Sequence, residues 1–265
     1  MAVKGGSRRD GGKAAGSSAA PDNISTISDG GASGRVPRHI AVIPDGNRRW
    51  ARKRHLPAAA GHKAGVEAYK QLLSNAADRG VKAVTFYAFS TENWKRSQDE
   101  VSALMKLLLD NLVNSDRILG KNREKIRFLI AGDRTGLDGK LVEAIEALET
   151  KTAGNTELIA VICLNYGGRD EIVRAARKLG EQIADGTLRP EDIDEAALTA
   201  GLYVNVPDPD LIIRTSGEQR LSNFLLWQAA YSELYFADVL WPDFDAAELD
   251  KALSAYAMRQ RRYGG

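Results

Sequence analysis

Three short stretches of this sequence hold side chains that can do chemistry, and each follows an apolar run. The first is Pro44-Asp45-Gly46-Asn47-Arg48-Arg49-Trp50. Asp-Gly-Asn is common turn chemistry, and alone these residues read most simply as a tight turn. They also suit a phosphate cradle. Gly46 would let the backbone approach an anion, Arg48 or Arg49 would supply charge, and Asp45 could hold a divalent cation against the same phosphates. The second stretch, Ser90-Thr91-Glu92-Asn93-Trp94-Lys95-Arg96, is a polar cluster with one large aromatic and one arginine, or else a capped loop leading into a helix. In the third, Arg214 to Asn223, two arginines six residues apart bracket a glycine and a serine. That spacing suits a doubly charged anion better than a surface charge pair. Glu233, just before Leu234-Tyr235-Phe236, alone reads as a surface acid.

What is missing narrows the chemistry. No Gly-x-x-x-x-Gly-Lys-Ser/Thr loop exists, no Gly-x-Gly-x-x-Gly follows an apolar run, and there is no Gly-x-Ser-x-Gly elbow. Three histidines (His39, His55, His62) are few for a triad or a zinc hydrolase, and one cysteine, Cys163, excludes an internal disulfide framework. Cys163 sits in the apolar run Leu158–Leu164 and reads as a core thiol. Several anion sites, one candidate metal carboxylate and a sheet edge remain. Two diphosphates facing each other would use that inventory.

The elements that must position these residues follow from periodicity. Short apolar, often β-branched runs predict strands at His39–Ile43, Ala83–Phe89, Ile126–Ala131, Leu158–Leu164, Leu211–Arg214 and Leu234–Phe236. Between them, apolar residues recur at helical spacing around Val66–Ala76, Val101–Leu112, Leu141–Leu148 and Ile172–Leu179. Ser97 and Glu100 form a capping-box pattern ahead of the second helix. Pro190 suits the first turn of a short helix, and Asp245 and Glu248 cap a last one carrying Leu249, Leu253 and Tyr256. Continuous apolar strands alternating with helices predict an α/β fold, a single domain with a mostly parallel sheet of about six strands and helices on both faces. Ligands in such sheets bind beyond the carboxyl ends of the strands, where the three stretches lie.

Composition sets the outer limits. The 265 residues are 43% hydrophobic and 27% charged, an ordinary globular balance, and no apolar run approaches the ~18 residues of a membrane span. Residues 1–36 hold five basic and three acidic residues and eight of the 25 glycines, with almost nothing apolar. They are expected to be a disordered Gly/Ser-rich tail, leaving 37–265 as the folded domain. That domain carries 32 basic and 32 acidic residues, which gives no general footprint for nucleic acid. No signal-peptide pattern precedes it, so a cytoplasmic location with at most a peripheral membrane contact is expected.

The same residues carry a resemblance. His39-Ile-Ala-Val-Ile-Pro-Asp-Gly-Asn-Arg-Arg-Trp50, Gly61-His-Lys-Ala-Gly65, Tyr87-Ala-Phe-Ser-Thr-Glu-Asn-Trp94, Asn165-Tyr-Gly-Gly168, Pro207-Asp-Pro-Asp-Leu-Ile-Ile-Arg-Thr-Ser-Gly217 and Leu225-Leu-Trp-Gln228 running to Glu233-Leu-Tyr-Phe236 resemble the bacterial isoprenyl transferases. This is the cis-prenyltransferase, or undecaprenyl diphosphate synthase, family, and the likeness runs from His39 to Gly264. It implies that Asp45 is the catalytic carboxylate and binds magnesium, with Glu233 as a second ligand. Gly46, Asn47, Arg48 and Arg49, helped by His62, would cradle an allylic diphosphate. Trp50 and Trp94 would line the substrates, with Ser90, Thr91 and Glu92 along the site and Asn93 at the proton-acceptor position. Arg96, Arg214, Arg220, Leu221 and Ser222 would hold isopentenyl diphosphate. Arg262-Tyr263-Gly264 resembles an element that reaches the neighbouring subunit, which implies a catalytic homodimer. Two positions depart from the pattern: Ala58 and Gln219 stand where many relatives have arginine and histidine.

The reaction implied is a head-to-tail condensation that sets a cis double bond and gives a medium- to long-chain polyprenyl diphosphate. Ala88 is expected on the floor of an apolar tunnel near Leu158, with Val101–Leu112 as its wall or simply as core. A metal-dependent phosphohydrolase would also use Asp45, arginines and magnesium, but with a positioned water in place of a tunnel. A non-catalytic accessory subunit would lack Asp45 and the arginines.

Overall fold

The computed structural model describes residues 36–116, 122 and 124–259. The expected disordered tail and Arg262-Tyr263-Gly264 lie outside these residues, Val36 excepted. Six strands form one sheet in the order β3-β4-β2-β1-β5-β6: β1 (His39–Ile43), β2 (Ala83–Ser90), β3 (Ile126–Ala131), β4 (Leu158–Tyr166), β5 (Leu211–Arg214) and β6 (Glu233–Phe236). Every pairing is parallel. The helices are α1 (Asn47–Lys53), α2 (Ala58–Asp78), α3 (Gln98–Val113), α4 (Gly139–Thr152), α5 (Gly168–Ala184), α6 (Glu195–Ala200) and α7 (Ala246–Met258).

The sheet is buried on both faces, which is why its strands read as continuous apolar runs. Ile40, Val42, Val84, Phe86 and Ile162 pack on one side against Tyr69 and Leu72 of α2, Val101 and Leu112 of α3, Leu141 and Ile145 of α4, and Leu249 of α7. Ala41, Ile43, Tyr87, Val161 and Cys163 face the other side, against Phe224 and Leu225 and the flanking Tyr203, Val204 and Val206. The thiol of Cys163 is fully buried, and burial pushes its pKa up, as expected of an inert core residue.

The expected elements are present, β1, β3 and β5 with the expected bounds and most others with longer ends, and two differ. Pro190 opens only a 3-10 turn (Pro190–Asp192), and the helix that follows starts at Glu195. The residues after β1 make a helix, α1, which the sequence hides because five of its seven residues are polar or cationic and Trp50 and Ala51 alone make no apolar stripe. Its fit depends on small neighbours. A Cβ on Gly61 of α2 would lie 2.0 Å from the Asn47 carbonyl oxygen, and one on Gly65 would lie 2.5 Å from Asn47 Oδ1. The Gly61/Gly65 spacing on α2 therefore lets α1 seat directly against it.

His39 ties the bases of β1 and β2 to the segment before β5. Its Nδ1 lies 2.6 Å from the Pro207 carbonyl, and its Nε2 lies 2.8 Å from Thr85 Oγ1. Burial holds its pKa down to about 4, from an ordinary 6.5. Between those values the unfolded chain binds a proton that the folded chain refuses, so stability rises with pH. Acidification from pH 6.5 to 4 should therefore remove about 3 kcal/mol through this residue. Thermal melts across that range should show the loss, with a shallower dependence in His39→Gln. An equal slope in both proteins would exclude His39 as the cause.

Candidate active site

Asp45 stands two residues beyond β1, at the centre of the carboxyl edge of the sheet. Its backbone is locked by Thr215: the Asp45 N–H donates to Thr215 Oγ1 at 2.9 Å, and that hydroxyl donates to the Asp45 carbonyl at 2.7 Å. Its two carboxylate oxygens face two arginines. Oδ1 accepts from Arg49 at 3.1 Å and Oδ2 from Arg214 at 3.0 Å. Burial alone would raise the Asp45 pKa, but hydrogen bonds and charge from Arg214 and Arg49 outweigh it and hold the carboxyl below its ordinary value. The carboxylate is therefore ionised at neutral pH.

Arg214 is the buried cation of the site, with 4% of its side chain exposed. Besides Asp45 it donates to the Arg220 carbonyl at 2.6 Å and to Ser222 Oγ at 2.7 Å. Arg49 is held by Ser216 and by Glu218 at 3.4 Å, and Glu218 also pairs with Arg220. Arg48, Arg49, Arg52, His62 and Arg96 ring a second opening of about 390 Å³ around Asp45 and Asn47. Glu100 gathers three of these groups: Arg96 at 2.9 Å, Arg48 at 3.6 Å and His62 at 3.8 Å. The capping box is thus half made. Ser97 accepts the Glu100 N–H, while the Glu100 carboxylate turns to the cations. Burial first, then the Arg96 and Arg48 charges, lower the His62 pKa against the pull of Glu100.

Behind the polar mouth lies a cavity of about 650 Å³. Asp45, Asn47, His62, Ser90, Asn93, Arg96, Arg214 and Ser222 line its entrance, and Tyr69, Phe86, Ala88, Leu104, Leu107, Leu108, Leu112 and Ile162 its body. The α3 contribution from Leu104 to Leu112 is a wall ~12 Å long. The helix is core and cavity wall at once: Val101 and Met105 pack into the core, while Leu104, Leu108 and Leu112 touch the core and also line the cavity. Ala88 lines the cavity because it sits at a bulge between the Tyr87↔Cys163 and Phe89↔Leu164 pairs of β2 and β4. Leu158 does not join it. Leu158 is at the start of β4, opposite Ile126, and Ile162 takes that place in the cavity.

Three polar atoms at the entrance are buried without a hydrogen bond: Arg214 Nε, His62 Nε2 and Asn47 Oδ1. Two are nitrogens that can donate to an anion. Asn93 lines the same entrance. Its Oδ1 accepts the Ser90 N–H at 3.1 Å in a reciprocal cap, and a carboxamide does not titrate.

Several expected residues lie elsewhere. Trp50 lines neither opening; its Nε1 donates to Asp243 at 2.7 Å and Arg54 stacks 4.1 Å from its ring. Trp94 packs edge-on against Phe89 and donates to Asn165 Oδ1 at 2.7 Å. Thr91, Arg220 and Leu221 flank the cavity without lining it. Glu233 is separated from Asp45. It starts β6 opposite Leu211, whereas Arg214 pairs with Phe236, which sets Glu233 ~10 Å back along the strands. It pairs with Arg259 at 2.6 Å. Within one chain, Glu233 and Asp45 do not meet on one cation. Among the described residues no group of three or more His, Cys, Asp or Glu could hold a metal ion. Sequence reading passed over Thr215, Glu100 and Asn223. Only Glu100 carried a signal, through its capping position.

A parallel α/β sheet whose carboxyl edge opens as a cationic mouth and continues as an apolar cavity defines a protein that handles phosphorylated substrates with a long hydrocarbon body. The comparisons give the family within that class. Residues 43–264 match the family described as "Putative undecaprenyl diphosphate synthase". The chain is 51% identical over 230 residues to an isoprenyl transferase of Fusobacterium nucleatum, covering 87% of this chain and 96% of that one. It is 49% identical over 229 residues to the (2E,6E)-farnesyl-diphosphate-specific ditrans,polycis-undecaprenyl-diphosphate synthase of Escherichia coli, covering 86% and 90%. The structure of lavandulyl diphosphate synthase from Lavandula x intermedia, in complex with dimethylallyl diphosphate, matches with a TM-score of 0.83 at 41% identity, over 87% of this chain and 99% of that one. A probable undecaprenyl diphosphate synthase from Campylobacter jejuni matches with a TM-score of 0.70 at 32% identity, over 86% and 99%. The chain belongs to this family: it is a cis-prenyltransferase, a transferase that lengthens prenyl diphosphates.

Because Arg220 is more than half exposed and Arg214 is buried, the two should respond differently to truncation. On the expectation that both hold isopentenyl diphosphate, Arg220→Ala should weaken that substrate about tenfold and leave thermal stability unchanged, while Arg214→Ala lowers both. Michaelis constants for the two substrates and thermal midpoints check this. Equal weakening of both substrates by Arg220→Ala would remove the separation of the two anion sites.

Proposed function

We propose that the chain condenses isopentenyl diphosphate with an allylic prenyl diphosphate, releasing diphosphate and building a medium- to long-chain cis-polyprenyl diphosphate. The observation that carries this reading is the continuity of one cavity from Arg214 Nε and His62 Nε2, which make no hydrogen bond within the protein, to the apolar wall of α3. The allylic diphosphate binds at Arg48, Arg49, His62 and Asn47, and isopentenyl diphosphate at Arg214, Arg220 and Ser222. Asp45 stands between the two and touches a cation of each.

The allylic C–O bond breaks as its electron pair leaves with the diphosphate. The isopentenyl π pair then forms the new C–C bond, and loss of a proton from the adjacent carbon makes the new double bond. Fixed guanidiniums at the leaving oxygens stabilise that charge in a partly dry cleft. Holding both substrates in one cleft supplies orientation. Asn93 orients the departing proton by hydrogen bonding but cannot keep it, so it passes to a phosphate oxygen.

Magnesium fits one exposed edge of the site. Asp45 offers a single carboxylate in the mouth, and this ion typically takes one or two carboxylates with substrate phosphates and water. Asp45 would hold it, and when bound it would neutralise charge on the leaving diphosphate. Glu233 lies at the edge strand β6 beside Arg259, so any metal role for it requires a neighbouring subunit. A homodimer through that edge is part of the proposal. Arg52, which rings the smaller opening, supplies the charge that Ala58 lacks, while Arg54 is engaged by Asp243 and Trp50.

Magnesium, an allylic starter and radiolabelled isopentenyl diphosphate should give a labelled, solvent-extractable product with stoichiometric diphosphate release. Diphosphate release without transfer of label would favour a phosphohydrolase and contradict the proposal.

A further inference from the structure

The loops after β2, β4 and β5 converge on Asn223. Its carbonyl accepts the Gly168 N–H at 2.7 Å, its Oδ1 accepts the Arg169 N–H at 2.9 Å, and its Nδ2 donates to Glu92 Oε1 at 2.9 Å. The junction admits no further atoms. A Cβ on Gly167 would lie 2.8 Å from both Asn223 Nδ2 and Thr91 Oγ1, and one on Gly168 would lie 3.1 Å from the Asn223 carbonyl oxygen. This is why the Asn165-Tyr-Gly-Gly168 motif ends in paired glycines.

The backbone here is strained. Ser222, Asn223 and Leu225 all have left-handed φ, at 52°, 64° and 46°. Such conformations persist where the surroundings over-determine them, and they cluster at working sites. Asparagine tolerates this region better than most residues. Asn223 also borders the cavity beside Ser222, whose hydroxyl accepts from Arg214. Glu92 lies next to Asn93 in the loop that opens at Ser90.

We propose that Asn223 is a positioning residue that clamps the Ser90–Asn93 loop to the turn carrying Ser222, and so sets the spacing between the proton-accepting side of the cleft and the isopentenyl diphosphate. This rests on the reading given under Proposed function. Burial pushes the Glu92 pKa up, but hydrogen bonds, first that from Asn223, outweigh it and keep the carboxyl below its ordinary value. Glu92 is therefore a carboxylate that the Asn223 amide stabilises.

The test is a cycle of N223D, E92Q and N223D/E92Q, with N223G beside it, in the full chain. N223D keeps the acceptor for Arg169 but sets two carboxylates against each other. In the double variant, the amide introduced by E92Q donates to the carboxylate introduced by N223D, restoring the link with its direction reversed. N223G suits the left-handed backbone and removes both side-chain bonds, so it keeps the question open if N223D does not fold. Turnover, both Michaelis constants and thermal midpoints are measured. N223D and N223G should lose about 10- to 100-fold in kcat, the scale of a misplacement near 1 Å. The Michaelis constant for the allylic starter should stay within about twofold. The double variant should recover about tenfold over N223D. Wild-type turnover in N223D and N223G, or a double variant showing the product of the two single losses, overturns the proposal. A wild-type chain that transfers no isopentenyl unit overturns the functional reading and this inference with it, whereas an active wild type with an additive cycle overturns this inference alone.

Discussion

Asp45→Ala should lose turnover by roughly 10³-fold or more while the sheet stays folded. The carboxylate touches buried and half-buried cations from both proposed diphosphate sites, through Arg49 at 3.1 Å and Arg214 at 3.0 Å. Removing it takes away the proposed magnesium ligand and unlinks the two arginines, and loss of a main electrostatic stabiliser is an effect of this size. The fold should survive, because Thr215 still holds the Asp45 backbone and Arg214 keeps the Arg220 carbonyl and Ser222 Oγ. Some stability should go, since a buried guanidinium loses its counter-ion. Inorganic diphosphate should restore it, because an anion can take the vacated place. Turnover and thermal midpoints, with and without diphosphate, check both parts. Near-normal turnover would remove Asp45 from the chemistry, and a variant that is unfolded without diphosphate and stays unfolded with it would make its role structural.

Ala88→Leu should shorten the product. Each added isoprene unit brings five carbons, and its burial gains about 0.8 kcal/mol per methylene, so the growing chain should follow apolar protein. Ala88 bulges from β2 into the cavity, on the side lined by Ile162 and faced by Leu104 and Leu108. A branched side chain there leaves the polar entrance intact and blocks the way inward, with overpacking of ~1–3 kcal/mol once the chain arrives. Early condensations should proceed and later ones stop. A chain-length ladder of wild type and variant gives the answer. A wild-type product ending at fifteen carbons, or the same ladder in both, would refute the tunnel.

The sheet was legible because its strands are buried on both faces and so read as unbroken apolar runs, Leu158–Leu164 most clearly. The place of Asp45, Arg49, Arg214 and Ser222 at the carboxyl edge was legible because they stand at or beyond the ends of β1 and β5, where such folds bind ligands. The turn of Trp50 away from both openings was not legible, because sequence gives no rotation for a residue in so short a helix and its indole meets Asp243, distant in sequence. Glu233 was legible as the residue ahead of its strand, but its offset from Asp45 was not, because that offset depends on the register of β5 with β6, which no local pattern encodes. The role of Asn223 was invisible because its partners come from two other loops, distant in sequence.

The most direct measurement is a crystal structure of the chain with magnesium, isopentenyl diphosphate and an unreactive thiodiphosphate analogue of the allylic substrate. The allylic diphosphate should lie on Arg48, Arg49 and His62, the isopentenyl diphosphate on Arg214, Arg220 and Ser222, with Asp45 between them and the hydrocarbon running past Ala88 toward Leu108. Both diphosphates on one arginine cluster, or a hydrocarbon lying outside the cavity, would contradict the account.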